Sequence, residues 1–226
     1  MIEIISATRS TETEFWEQSA LGLSLRRLVQ EPRLRAHIAF ENTRGLPEIY
    51  NSRILANDGA DDDGLVFIHD DVWLDDYFIA DRIHNGLTHF DVLGVAGNRR
   101  IAPQQPAWCF PDTTFAWDDR ANLSGIVAHG KGPFGLLSPF GPVPAECELL
   151  DGVLLAARRS RLREAGVLFD PRFKFHFYDL DFCRSARSKG LRLATWPISI
   201  THQSGGGFAS NGWAESYAKY LEKWQG

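Results

Sequence analysis

The stretch that decides the fold is LVFIHDDVW, residues 65–73, in which four apolar residues run directly into His69, Asp70 and Asp71. An unbroken apolar run of this length predicts a strand that is buried on both faces, as strands are inside a parallel sheet. The polar residues then lie at the carboxyl end of the strand, which is the edge where open α/β sheets bind their ligands. We therefore expect the functional site at this edge.

The residue types at the strand end favour a cation. An imidazole and two carboxylates can hold a hard divalent cation, which can in turn hold a phosphate group. Alternate residues of an extended chain face the same side, so His69 and Asp71 are expected to point together while Asp70 points elsewhere. Mn²⁺ accepts an imidazole beside oxygen ligands more readily than Mg²⁺ does. The stretch thus favours a metal–diphosphate site, with a simple polar turn as the alternative.

The composition is that of a globular protein with a hydrophobic core. The 226 residues are 44% hydrophobic, and 24 basic residues against 29 acidic ones give a formal net charge of -5. Without a broad basic field, nucleic acid is not an expected partner. No apolar run approaches the roughly 18 residues that cross a bilayer, so no transmembrane segment is expected, while peripheral membrane contact stays open. Three cysteines without a CxxC spacing favour a reducing, cytoplasmic compartment.

Strands and helices alternate through the first half of the chain, which predicts an α/β architecture around a largely parallel sheet. Strands are predicted over residues 2–7, 35–40, 65–68, 90–96, 149–157 and 191–201. Helices are predicted from a capping box at Thr11 and Glu14, from Pro47, and over residues 75–85, 160–166, 179–190 and 215–224. Residues 100–144 are predicted to form long loops with short strands. We expect one domain over residues 1–226.

A cluster of four arginines, Arg158, Arg159, Arg161 and Arg163, lies beside the predicted helix over residues 160–166. Charge runs of this kind are typical of a solvated helix face, and we expect one here. A patch that binds phosphate or lipid is the alternative.

Further polar residues lie next to predicted strands or at the start of a predicted helix. His202 follows the last predicted strand and precedes three glycines, which fits an imidazole beside a ligand and also a flexible surface turn. Asp179 and Asp181 follow the aromatic run FKFHFY, where a carboxylate can take the proton of a hydroxyl or simply cap the helix. Asp151 precedes a glycine beside an apolar strand and alone indicates little.

Taken together, these segments resemble the GT-A-fold glycosyltransferases that use nucleotide-diphosphate sugars, and within them the family-2-like bacterial enzymes. The first half matches the family in its nucleotide-binding strand edge at residues 4–9, in Glu41-Asn42, in residues 42–51 and in HDD at the place of the DxD motif. The second half matches more specifically. Its matching residues occur in the family's order and close to its spacing: Asp151-Gly152, Arg158-Arg159, Gly166, Phe169-Asp170, Phe173, Asp179-Leu180-Asp181 and the strand ending in His202.

The resemblance implies a metal-dependent sugar transfer from a UDP-linked sugar to a carbohydrate or other hydroxyl acceptor, with Mn²⁺ or Mg²⁺ as cofactor. It implies that Asp71 is the metal-bridging carboxylate and that His202 is a further metal ligand. Asp179 takes the place of the base in an inverting transfer, and Asp151 that of a residue touching the donor sugar or the acceptor. The implied donor-binding residues are Ser6, Ala7, Thr8, Arg9, Glu41, Asn42, Asn51, His69 and Asp70.

The same resemblance divides the chain into a nucleotide-binding half, residues 1–99, and an acceptor and catalytic half, residues 100–226. Two residues depart from the family's pattern: His69 replaces the first acid of the DxD motif, and Tyr178 replaces the Glu before the base. These departures favour an alternative, a protein of this fold that binds nucleotide or sugar without transferring it, and they leave inverting and retaining chemistry open. Nucleotidyl transfer is a third interpretation, but it needs a Gly-rich basic first loop, which SATRS at residues 6–10 matches poorly.

Overall fold

The structure, a computed structural model, describes residues 1–204 and 211–224. Its strands are β1 (Ile2–Ala7), β2 (Leu34–Ala39), β3 (Gly64–Ile68), β4 (Val72–Leu74), β5 (Val92–Gly94), β6 (Ala96–Asn98), β7 (Leu123–His129), β8 (Leu136–Gly141), β9 (Ala145–Cys147), β10 (Leu149–Leu150), β11 (Leu154–Arg158), β12 (Leu193–Thr195) and β13 (Ile200–His202). Its helices are α1 (Glu12–Gln18), α2 (Ala20–Arg27), α3 (Leu46–Ile54), α4 (Ile79–Gly86), α5 (Arg159–Ala165), α6 (Tyr178–Ser188) and α7 (Asn211–Trp224). Within these residues, no helix is long and apolar enough to cross a membrane.

The larger sheet has seven strands in the order β2-β1-β3-β11-β5-β12-β9. Three of its pairs are parallel: β1 with β2, β1 with β3, and β5 with β12. Strand β11 runs antiparallel to β3 and β5, and β9 runs antiparallel to β12. The predicted α/β fold is confirmed, with a mixed sheet. Strand β3 lies between β1 and β11 and is buried at every residue, as its apolar run predicts.

A second sheet, which the sequence analysis did not predict, has the order β10-β6-β7-β13-β4, with β8 paired to β7. The chain crosses directly between the two sheets at residues 69–71, at Val95, at residues 142–144, at Glu148, at residues 151–153 and at residues 196–199. The single strands predicted over 90–96, 149–157 and 191–201 are therefore wrong, because each is divided between the sheets. The strands on both sides of these crossings are mostly buried and apolar, so the apolar pattern continues across them. Pro197, which predicts an edge or a bend, lies in the crossing at residues 196–199.

Backbone hydrogen bonds join these crossings to one another. His69 N donates to Val153 O at 3.3 Å, and Asp151 N donates to Ala96 O at 2.9 Å. The crossings at 69–71 and 151–153 thus lie side by side, and both sit next to the start of β6. The residues that leave the larger sheet are brought together by this arrangement.

Local signals in the first helical region are partly confirmed. Thr11 and Glu14 form the predicted capping box. The helix that follows ends at Gln18, because Ser19 begins a second helix, its Oγ accepting a hydrogen bond from Gly22 N at 2.9 Å. The helix predicted from residue 75 begins only at Ile79.

The segment predicted as long loops, residues 100–144, contains the antiparallel β7–β8 hairpin. Strand β8 carries Pro139 and Gly141, and its Leu136 is 85% exposed, so it shows neither strand periodicity nor strand composition. An edge strand tolerates proline because one side of its backbone needs no partner.

The arginine cluster is not a solvated helix face, and that prediction is wrong for three of its members. Arg158 donates to Leu87 O at the end of α4, while Arg159 and Arg163 donate to the last carbonyls of α3. Such carbonyls have no partner inside their own helix, and a nearby cation also suits the negative end of the helix dipole. Arg161 alone is exposed and pairs with surface acids.

Arg159 is fully buried and ties α5 to the first strand. Its Nη2 lies 2.7 Å from Glu3 Oε1, and Glu3 is itself 1% exposed. Arg53 contacts the other oxygen of Glu3 at 3.0 Å. A buried carboxylate in this position depends on its cations, because water cannot replace them.

We expect Arg159→Leu to lower the free energy of unfolding by about 3–5 kcal/mol, since it leaves Glu3 underpaired and the end of α3 uncapped. Arg161→Leu on the same helix is the matched control and should lower it by less than about 1 kcal/mol. Urea unfolding at pH 7 measures both. Equal losses in the two variants would contradict a structural role for the buried pair.

Candidate functional site

A cavity of about 900 Å³ opens where the chain crosses between the two sheets. Its wall is built from the crossings at 69–71 and 151–153, from residues 106–110, from the start of α6 and from the end of β13. Among the residues predicted for a site, it includes Ala7, His69, Asp70, Asp71, Asp151, Asp179 and His202. The structure thus brings predicted residues from both halves of the chain to one place.

Six predicted donor-binding residues are not among the described residues that line the cavity: Ser6, Thr8, Arg9, Glu41, Asn42 and Asn51. Ser6 Oγ donates to Ile68 O at 2.7 Å and so holds β1 to the end of β3. The Asn51 amide exchanges two hydrogen bonds with the backbone of Phe169, at 2.7 and 2.9 Å. These side chains are used within the fold, and their contact with a donor stays a prediction.

His69, Asp71 and His202 form a trio in which one potential ligand atom from each lies within 4.8 Å of the others. Strand pairing creates the trio. Strand β13 runs antiparallel to β4 with His202 opposite Val72, and Gln203 N donates to Asp71 O at 3.1 Å. The three glycines that follow, residues 205–207, lie outside the described residues.

The trio has the properties of a cation site. Asp71 Oδ1 is buried, lies 3.3 Å from His202 Nε2, and has no hydrogen-bond partner among the described residues. Buried polar atoms are normally satisfied, and a charged carboxylate oxygen that faces an imidazole without a hydrogen bond is a suitable ligand for a cation. Two nitrogens and one carboxylate suit a transition metal such as Mn²⁺ better than Mg²⁺. The residues present therefore fit the implied metal.

The charge state of the trio is set by burial and by its own contacts. Burial acts to raise the pKa of Asp71, but the neighbouring His202 outweighs it and lowers that pKa to about 2. Burial acts to lower the pKa of His202, and Asp71 raises it overall. Burial lowers the pKa of His69, so this imidazole is neutral at neutral pH. The carboxylate is thus charged and His69 has a free lone pair.

Two further carboxylates, Asp179 and Asp151, line the cavity. Asp179 Oδ2 accepts a hydrogen bond from Gly152 N at 3.0 Å, while Asp151 Oδ2 accepts one from Trp108 Nε1 at 2.7 Å. Burial, and then the negative charge of Asp151, raise the pKa of Asp179 to about 7. A carboxyl group with a pKa near the working pH is suited to accept a proton in catalysis.

Asp181, the second acid at the start of α6, has a structural role instead. It is fully buried, and its carboxylate meets Lys223 Nζ at 2.7 Å and Trp224 Nε1 at 2.8 Å. These contacts anchor α7 to α6. Of the two acids that the sequence places at this helix start, only Asp179 lines the cavity.

An aromatic wall lines another part of the cavity, and the sequence leaves the role of its tryptophans open between stacking on sugar rings and core packing. Its members Trp108, Trp117 and Phe140 come from the loop-rich segment. Trp117 stacks on Phe140 with ring centroids 5.5 Å apart, and Trp108 meets Phe140 edge to face at 5.0 Å. Trp117 remains 57% exposed. The only signal in the sequence was a high density of aromatic residues without periodicity.

No protein-family model and no curated protein sequence matches the chain. Solved structures match it in fold. The catalytic domain of Drosophila beta1,4-galactosyltransferase 7 in complex with xylobiose has a TM-score of 0.53 and 10% identity, over 95% of this chain and 78% of its own. A mutant of that enzyme in complex with manganese, UDP-Gal and xylobiose has a TM-score of 0.51 and 10% identity, over 95% of this chain and 79% of its own.

GalNAc-T7 with UDP, GalNAc and Mn²⁺ also matches, with a TM-score of 0.53 and 11% identity over 99% of this chain. The chain spans 48% of the length of that protein. Identities this low concern the fold and not the individual residues. What these comparisons establish is that the chain has the GT-A fold of nucleotide-sugar glycosyltransferases.

Proposed function

We propose that the protein is a metal-dependent glycosyltransferase that moves a sugar from a UDP-linked donor to an acceptor hydroxyl. The observation that carries the proposal is the trio His69, Asp71 and His202 in the same cavity as Asp179, whose pKa is raised to about 7. Two of the solved structures that share the fold hold manganese with UDP or UDP-Gal, which supports a ligand of the same class here.

The trio is the part of the site that takes the metal and the diphosphate. A divalent cation held by His69, Asp71 and His202 supplies positive charge to the departing diphosphate. Asp71 binds in its charged form, because the pKa of its carboxyl lies far below neutral pH. We assign nucleotide binding to residues 1–99. His202, from residues 100–226, is the metal ligand that the other half of the chain contributes.

Asp179 is the proton acceptor of the proposed reaction. It takes the proton of the acceptor hydroxyl as that oxygen forms its bond to the anomeric carbon of the donor sugar. The hydrogen bond from Gly152 N holds its carboxylate in place. Asp151 is held by Trp108 and by Val153 N, at 2.7 and 2.9 Å, and its charge keeps Asp179 basic.

The aromatic wall is the proposed acceptor surface. Trp117 and Phe140 present stacked rings next to Trp108, and Trp108 Nε1 donates a hydrogen bond to Asp151. Aromatic faces bind the apolar face of a sugar ring or another ring of the acceptor. His69 and Tyr178, the two departures that favour binding without transfer, are compatible with transfer, because His69 lies inside the trio and burial raises the pKa of Asp179 to about 7.

The metal–diphosphate part of the proposal predicts metal-dependent nucleotide binding. Isothermal titration with UDP should give a dissociation constant at least about tenfold lower with Mn²⁺ than with EDTA, because the cation joins the diphosphate to the trio. Asp71→Ala should abolish this difference. Asp62→Ala, which removes an exposed carboxylate that is not among the residues lining the cavity, should retain it. A wild-type dissociation constant for UDP that is the same with Mn²⁺ as with EDTA would contradict the proposal.

The base assignment predicts that Asp179→Asn lowers turnover by about 10²–10⁴-fold, because the amide cannot accept the proton. The Asn side-chain oxygen can still accept the hydrogen bond from Gly152 N, so UDP affinity should stay within about twofold. Release of UDP from a panel of UDP-sugars and hydroxyl acceptors measures turnover. Full activity of the variant would show that the reaction does not use this carboxylate.

The raised pKa of Asp179 predicts the direction of the pH dependence. The carboxylate must be unprotonated to act, so kcat should be level above about pH 8 and should fall roughly tenfold per pH unit below about pH 6. The residual activity of Asp179→Asn should not show this fall of kcat at low pH. A wild-type profile that is flat between about pH 5.5 and 8 would contradict the assignment.

A further inference from the structure

The two residues that depart from the family's sequence pattern are in contact. Tyr178 Oη lies 2.8 Å from His69 Nε2, although the two are 109 positions apart. Tyr178 Oη also donates a hydrogen bond to Gly152 O at 2.8 Å. The hydroxyl therefore joins the crossing at 69–71 to the crossing at 151–153.

These two contacts determine which nitrogen of His69 carries the proton. A tyrosine hydroxyl has one proton, and here the carbonyl of Gly152 receives it. Toward His69 the oxygen can then only accept, so Nε2 is the protonated nitrogen. In a neutral imidazole the other nitrogen, Nδ1, is left with the lone pair that a metal needs.

We propose that Tyr178 is a positioning residue that fixes the tautomer and the ring orientation of His69, so that Nδ1 is its metal-binding atom. The inference rests on the proposed function in so far as the trio holds a metal. It accounts for both departures from the sequence pattern, because the imidazole that replaces an acid needs a hydrogen-bond acceptor and Tyr178 provides one.

The surroundings of Tyr178 support this role. The ring is buried and packs edge to face against Tyr50, with centroids 6.0 Å apart, so the hydroxyl has little freedom to turn away. A Cβ atom at Gly152 would clash with Tyr178 Oη, so glycine leaves the space that the hydroxyl occupies. Burial raises the pKa of Tyr178 well above its ordinary value, and the residue adds no charge beside Asp179.

Tyr178→Phe tests the inference, because it keeps the packed ring and removes only the hydroxyl. Nitrogen NMR of the metal-free protein, with His69 assigned through His69→Gln, should show the Nε2–H tautomer in the wild type and a mixture in the variant. Titration with Mn²⁺ alone, followed by electron paramagnetic resonance, should show about 10–100-fold weaker binding by the variant. Tyr220→Phe, which removes a buried hydroxyl bonded to Arg184, is the control and should change neither result.

Three results would overturn the inference: an Nδ1–H tautomer in the wild type, an unchanged tautomer in Tyr178→Phe, or a lost tautomer preference with unchanged Mn²⁺ affinity. Circular dichroism and the melting temperature establish that the variant is folded. A wild type that binds no Mn²⁺ would instead overturn the proposed function. The tautomer of His69 in the metal-free protein is measured independently of that outcome.

Discussion

The passage of the chain from one sheet to the other is the constraint on which the candidate site depends. Strand β3 is buried at every residue, so no polar side chain can project from it until it leaves the larger sheet after Ile68. The first polar residues, His69 and Asp71, then lie in the turn that leads to β4. The crossing at Asp151 lies beside this turn, and His202 ends the strand that pairs with β4. The polar groups lie close together because each follows or precedes a crossing at the boundary between the two sheets. The backbone changes direction there, and the side chains can face the same cavity.

Two features of the site lower the stability of the folded state, and contacts elsewhere in the fold must offset them. Asp179 is held where burial and Asp151 favour its protonated form, so ionising it at neutral pH lowers the stability of the folded state relative to an exposed carboxyl. Phe177 precedes this segment with a φ of 65°, a conformation that is unfavourable for any residue with a Cβ atom. The ring of Phe177 packs between aromatic residues of α7, and Asp181 binds the same helix through Lys223 and Trp224. Helix α7 therefore holds in place the strained turn that delivers Asp179 to the cavity.

The parts of this molecule that could be predicted from the sequence are those that depend on neighbours along the chain. The buried strand before His69, the capping box at Thr11 and the alternation of strands and helices are local signals, and the structure contains them. The second sheet could not be predicted, because the apolar residues on both sides of Asp151-Gly152 are buried whichever sheet they belong to. The same limit explains Arg159, which looks like a surface residue until its partners Glu3 and the end of α3 are placed beside it. Likewise, Tyr178 stood out only as a departure from a pattern, and its partner His69 became visible only in three dimensions.

Electrostatics connects the metal trio to the base. An imidazole at residue 69 and a phenol at residue 178 are both neutral at neutral pH, whereas acids at these positions would add two negative charges to the cavity that Asp179 lines. Asp179 already feels the charge of Asp151, and each further negative charge would raise its pKa and leave less of it ionised. A neutral His69 also leaves Asp71 as the single anionic ligand of the trio. Such a donor set attracts a cation through its nitrogens as much as through charge, which favours Mn²⁺ over the harder Mg²⁺. In the proposed site, these two neutral residues therefore add no charge that would raise the pKa of Asp179 further.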